Sequence, residues 1–95
     1  MKEFADVSKE EINIEYKLIS KNVKQERIKK GFTQEFVALS MGFTTATFYT
    51  NAESFKREKH FNLEHLIKIS KILDVGIEKF FVSEQIRSFH AEHGN

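Results

Sequence analysis

The sequence predicts an all-α fold of five helices, and three observations carry that prediction. One local pattern recurs five times: an apolar residue, then a small or polar one, then a second apolar residue four positions later. This is the hydrophobic-staple arrangement of a helix start. The instances are Val7-Ser8…Ile12, Phe32-Thr33…Val37, Phe43-Thr44…Phe48, Phe61-Asn62…Leu66 and Val75-Gly76…Phe80. Between these starts the apolar residues recur at intervals of three and four, and no stretch shows the strict alternation of an exposed strand. Gly31 and Gly42 fall where a left-handed residue would end a helix, and the chain contains no proline to interrupt one.

Each element follows in order. Ser8, with Glu11 three residues on, forms a capping box for the first helix. Its apolar stripe, Ile12, Tyr16, Ile19 and Val23, is interrupted by Arg27 before Ile28, and Gly31 stops it. Thr33 caps a short second helix through Phe36, Val37 and Leu39 to Met41, ended by Gly42. A third is expected from Thr44 to about Ser54. Leu63, Leu66, Ile67, Ile69, Ser70 and Leu73 mark a fourth, and Ile77 to about Val82 a fifth. Residues 1–15 read as an N-terminal arm that can extend the first helix, 16–82 as the domain, and 83–95 as a tail or dimerisation extension. The phenylalanines are expected in the core.

Composition narrows the function. With no cysteine there are no disulfides, thiolate nucleophiles or cysteine-ligated metals. The longest uncharged stretch, Phe36 to Ala52, is rich in Thr and Ser, so no membrane span is expected. Acidic residues near Met1 argue against a transit peptide, and a cytoplasmic setting is the expectation. No phosphate-cradling glycine loop or nucleophile constellation is present, which points away from an enzyme. His90 and His93 supply only two ligands, too few for a metal site, and no cofactor is expected. Charge is segregated. Residues 16–31 carry six basic groups against Glu26, and residues 55–71 carry five against Glu58 and Glu64. These two basic blocks bracket a nearly uncharged centre, a distribution suited to a polyanion partner.

The centre, Gly31-Phe-Thr-Gln-Glu-Phe-Val-Ala-Leu-Ser-Met-Gly-Phe-Thr44, has the grammar of a helix-turn-helix. Ala38 is small where two crossing helices approach closely, and Gly42 permits a sharp turn. Phe36 or Val37, with Met41 and Phe43, would pack the helices together. From about Leu18 to Phe81 the chain resembles the Cro and phage-repressor type, or xenobiotic-response-element, family. The matching pieces are Val23-Lys-Gln-Glu-Arg-Ile-Lys-Lys-Gly31, Phe32-Thr-Gln-Glu35, Val37-Ala38, Met41-Gly42-Phe43-Thr44, Ala52-Glu53, Leu63 to Leu73, and Val75-Gly-Ile-Glu-Lys-Phe-Phe81. They cover roughly two-thirds of the chain in the family's order and spacing.

The resemblance implies a five-helix, lambda-repressor-like domain that binds double-stranded DNA, with the helix-turn-helix at helices two and three. It implies that Gln34 contacts the DNA backbone, and that Thr44, Thr45, Ala46 and Thr47 meet phosphate and base edges. Thr50 and Asn51 would lie along the groove, and the loop with Lys56, Arg57, Lys59 and His60 would touch phosphate. These residue types suit the work, since hydroxyls bind phosphate and Asn can pair with adenine. Three departures stand out. The recognition helix has no basic residue, one extra residue separates Thr44 from Ala52-Glu53, and Phe55 stands where the family often has glycine. Specificity would then be AT-leaning or shape-based, with affinity drawn from the basic blocks.

The expected function is a DNA-binding transcriptional regulator, a repressor that acts as a homodimer. Phe81, Ile86 and Phe89 are candidates for the dimer face. An antitoxin that represses its own operon is a second reading, with residues 1–15 and 82–95 contacting the toxin partner. A protein-interaction module that kept the fold without binding DNA is a third.

Overall fold

The Ser8 hydroxyl accepts the Glu11 amide at 3.1 Å and starts α1, which runs unbroken from Lys9 to Lys30. In this computed structural model residues 6–83 are described. Residues 9–15 of the expected arm are therefore helical, while the expectations for Ile86, Phe89, His90 and His93 fall outside the described residues. α1 stops at Gly31, whose φ of 75° lets the Phe32 amide reach back to the Arg27 carbonyl. The Thr33 hydroxyl then accepts the Phe36 amide and starts α2, Gln34–Ser40. At its end Gly42, at φ 101°, lets the Phe43 amide return to Ala38. Next come α3, Thr47–Glu53, a short 3-10 turn at Lys56–Glu58, α4, Leu63–Leu73, and a second 3-10 turn at Ile77–Phe80. Among the described residues the chain is all-helical, with four α-helices and no strand.

Two elements differ from expectation. The third helix begins at Thr47 rather than Thr44. Residues 44–46 form a bend in which the Thr45 hydroxyl accepts the Thr47 amide at 3.4 Å, and Ala46 occupies the cap position without a side-chain acceptor. The bend brings the Phe43 and Phe48 rings to 5.4 Å, so the expected staple pair meets without Thr44 serving as the cap. The fifth helix is only a 3-10 turn. Gly76 offers no side-chain cap, and the buried Asn22 amide takes the Phe80 carbonyl at 3.0 Å and the Val82 carbonyl at 2.8 Å. Those carbonyls face α1 instead of continuing a helical ladder.

The core collects one face of every helix. Val23 of α1, Val37 and Ala38 of α2, Tyr49 and Ala52 of α3, and Leu66, Ile69 and Leu73 of α4 are buried, joined by Met41, Phe61 and Phe80. Ala38 and Ala52 are small where α2 and α3 approach the core. The phenylalanines do not all go inside. Phe36 is 50% exposed and Phe81 48%, because α2 and the last turn each present a second side to solvent. Val37, not Phe36, fills the space between α2 and its neighbours.

The capping box at the start of α4 escaped the sequence because its N3 residue is a histidine. The Asn62 side chain accepts the His65 amide at 2.8 Å, and His65 Nδ1 accepts the Asn62 amide at 3.0 Å. The same imidazole lies 4.9 Å from the Phe48 ring and 5.9 Å from Phe43, so burial pushes its pKa below the ordinary value.

Two outcomes follow. A Cβ at Gly31 meets no atom within 4 Å, so Gly31→Ala loses only backbone freedom at positive φ. A urea titration should show a loss of about 1–2 kcal/mol. His65 is favoured in its neutral form when folded, so its stabilisation is present above about pH 6.5 and is lost as pH falls through its lower folded value. Urea midpoints between pH 7.5 and 5 should decline, with most of that decline absent in His65→Gln.

Candidate nucleic-acid interface

α1 has two working faces. Lys17, Lys21 and Lys24, at intervals of four and three, share an outward stripe. Ser20, Asn22, Val23, Glu26 and Arg27 are buried. Arg27, only 9% exposed, does not break the core stripe as its charge suggested. Its Nε and Nη2 donate to the two carboxylate oxygens of Glu53, each at 2.9 Å, and Nη1 donates to the Phe32 carbonyl at 2.7 Å. This two-point geometry is the strong form of an arginine–carboxylate pair. Burial alone would raise the Glu53 carboxyl, but hydrogen bonds led by Arg27 outweigh it and hold the group below the usual carboxylate range. The hydrogen bond to Glu53 likewise raises Arg27 further. The Tyr49 hydroxyl sits by the same pair, fully buried and without a hydrogen-bond partner of good geometry, and burial pushes its pKa well up.

Gln34 extends this network to the surface. Its amide donates to Glu53 Oε1 at 3.0 Å, and its carbonyl oxygen accepts the Thr50 hydroxyl at 3.2 Å. The two residues, far apart in sequence, thus meet at the junction of α2 and α3. The carboxamide of Gln34 is engaged at both ends within the protein. Thr44, Thr45, Thr47 and Thr50 are exposed, while Ala46 and Asn51 are half-buried. Tyr49 is wholly internal, and Phe48 is turned toward the Phe43–His65 cluster. The outward side of α3 is therefore made of hydroxyls and one amide.

The turn after α3 carries the exposed cations Lys56, Arg57 and Lys59, and no carboxylate among the described residues pairs with them. Its backbone is unusual. Phe55, Arg57 and Glu58 all have positive φ, at 57°, 53° and 62°. Contacts to α1 hold it there. Lys9 and Asn13 reach Glu58 at 2.9 and 3.3 Å, His60 stacks on Tyr16 at 3.8 Å, and the Lys17 ammonium lies over the Phe55 ring at 5.6 Å. The Ser20 hydroxyl adds a bond to the Ala52 carbonyl at 2.9 Å. Between α1 and this turn lies a groove of about 620 Å³.

The structure thus joins Gln34 to Thr50 directly and sets the Lys56–Lys59 turn immediately after α3. Thr44, Thr45 and Ala46 lie in the bend ahead of that helix instead of in its first turn. The Arg27–Glu53 pair that organises the site was missed, although a charged residue on an apolar stripe and a lone Glu after Ala52 were both visible signals. Among the described residues no group of three or more His, Asp or Glu side chains is placed to hold a metal ion. No described helix is long and apolar enough to cross a membrane. Comparison with protein-family models, with curated proteins and with solved structures gave no match.

Arg27→Ala should cost about 3–5 kcal/mol, because it leaves Glu53 buried and unpaired. The double change Arg27→Met with Glu53→Met should recover most of that loss. Urea denaturation of the three proteins checks both outcomes.

Proposed function

We propose that the protein binds double-stranded DNA as a sequence-specific regulator, with a helix-turn-helix formed by α2 and α3. The observation that carries this reading is the outward face of α3. Thr47, Thr50 and Asn51 offer hydrogen-bonding groups on a short helix whose position is set by buried charge, next to three cations that no carboxylate among the described residues neutralises. Such a division of labour suits DNA. Cations draw the phosphates, while hydroxyl and amide groups meet base edges in the major groove. With no arginine on α3, the preference is for A·T-rich or readily deformed sites. The protein acts as a homodimer that represses transcription. Thr44 and Thr45, in the exposed bend, reach the backbone before the helix enters the groove.

The exposed apolar side chains Phe36, Leu39, Leu63 and Ile67 favour a second reading, a protein-interaction module of the same fold. An antitoxin, which does both, is the third. Selection from a random duplex library, at low and near-physiological salt, separates them. The expected result is an enriched palindrome with half-sites about one helical turn apart. Thr47→Ala combined with Asn51→Ala should flatten that preference by about tenfold or more per affected base pair. Binding without an enriched motif, lost as salt rises, would shift the balance to the interaction module. Co-purification of a neutralised toxin would select the antitoxin.

A further inference from the structure

The groove between α1 and the turn at 54–58 is not explained by the fold. One wall carries Lys17, Lys21 and Lys24, and the other carries Phe55 and Arg57. Two carboxylates also line it, but each has a cation of its own outside this set: Arg27 for Glu53 at 2.9 Å and Lys9 for Glu58 at 2.9 Å. That leaves Lys17, Lys24 and Arg57 facing carboxylates that already have cations of their own. Among the described residues Lys24 and Arg57 make no ion pair, and Lys17 has the face of Phe55. Cations collected in a concave surface with no answering anion raise the local concentration of negatively charged ligands.

The backbone gives an independent reason to read this wall as built. Phe55 and Arg57 both adopt left-handed φ, which glycine would take without steric conflict. Neither is glycine. The chain keeps an aromatic ring beneath Lys17 and a guanidinium in the groove at a conformational cost, and strain retained in this way gathers at binding sites. Arginine and lysine together are the side chains suited to phosphate, one as a planar fork and the other as a point charge.

We propose that this groove is a phosphate-binding cleft in which α1 and the 54–58 turn grip the same ligand. Resting on the DNA-binding reading, the ligand is the backbone of one strand, seated alongside the helix that reads the bases. Lys17 and Lys24 of α1 then belong to the interface together with Arg57, although they lie more than thirty positions from it in sequence.

The test measures binding of a fixed 20-base-pair duplex against salt concentration by fluorescence anisotropy, with thermal melts of each protein alongside. Each phosphate contact contributes roughly 0.9 to the slope of log affinity against log salt. The variant Lys17→Gln with Lys24→Gln breaks no ion pair among the described residues and loses only the contact of Lys17 with the Phe55 ring, so its melt should fall only slightly. Its slope should be shallower by about two. Arg57→Gly should pair a higher melting temperature with a slope shallower by about one, whereas a purely structural arginine would leave the slope alone. A duplex bound with the parental slope by all these variants overturns the cleft and leaves DNA binding intact. If no duplex binds even at low salt, the DNA reading fails, and the wild-type protein is titrated with inorganic phosphate and with adenosine monophosphate by amide NMR. Shifts confined to Lys24, Phe55 and Arg57 would then support the cleft with a small phosphorylated ligand. No shifts would overturn it.

Discussion

The buried pair between Arg27 and Glu53 is the interaction on which the rest of the structure depends. It joins the last turn of α1 to the end of α3 at two points, and the third arm of the guanidinium ties the Phe32 carbonyl in the link to α2. Gln34 then attaches the start of α2 to the same carboxylate, and Thr50 attaches α3 to Gln34. Three helices are held in register by one charge pair. Desolvating two ions is unfavourable, so the pair is worth more for the arrangement it enforces than for net stability. A hydrophobic substitute could fill the volume, but it would not fix the direction of Gln34 and Thr50.

Two weaker constraints complete the frame. Asn22, buried in α1, clamps the carbonyls of Phe80 and Val82 and so fixes the last turn against the opposite side of the core. The imidazole of His65 serves as cap for α4 and as a ring in the cluster of Phe43, Phe48 and Phe61. Burial in that cluster favours the neutral form, whose Nδ1 accepts the Asn62 amide. The turn at 54–58 is different in kind. Its left-handed residues are held by contacts to α1 and not by local preference.

The helix starts show where local chemistry is legible and where it stops. Ser8, Thr33 and Asn62 cap as expected because their acceptors meet amides only three residues away. Thr44 has the same flanking pattern and does not cap, because the Phe43 and Phe48 rings pack against α4's His65 and draw residues 44–46 into a bend. Gly76 had no acceptor to offer, and the Asn22 clamp decides its turn. Among the candidate contacts, the exposure of Thr47, Thr50 and the Lys56–Lys59 cations follows from polar residues opposite an apolar stripe. The internal engagement of Gln34 does not follow, since it requires Glu53, nineteen residues away, to be aimed at it.

The sequence by itself determined the helical class, most of the boundaries and the segregation of basic blocks around an uncharged centre. These rest on periods of three to four residues and on caps that act within one turn. Only the tertiary structure decided that Arg27 is a core residue, that Gln34 and Thr50 meet, and that Lys17 and Lys24 line one groove with Arg57. Each of those depends on two segments coming together in space. A buried charge is tolerable only beside its partner, and no local pattern in a single chain names a partner twenty-six residues away.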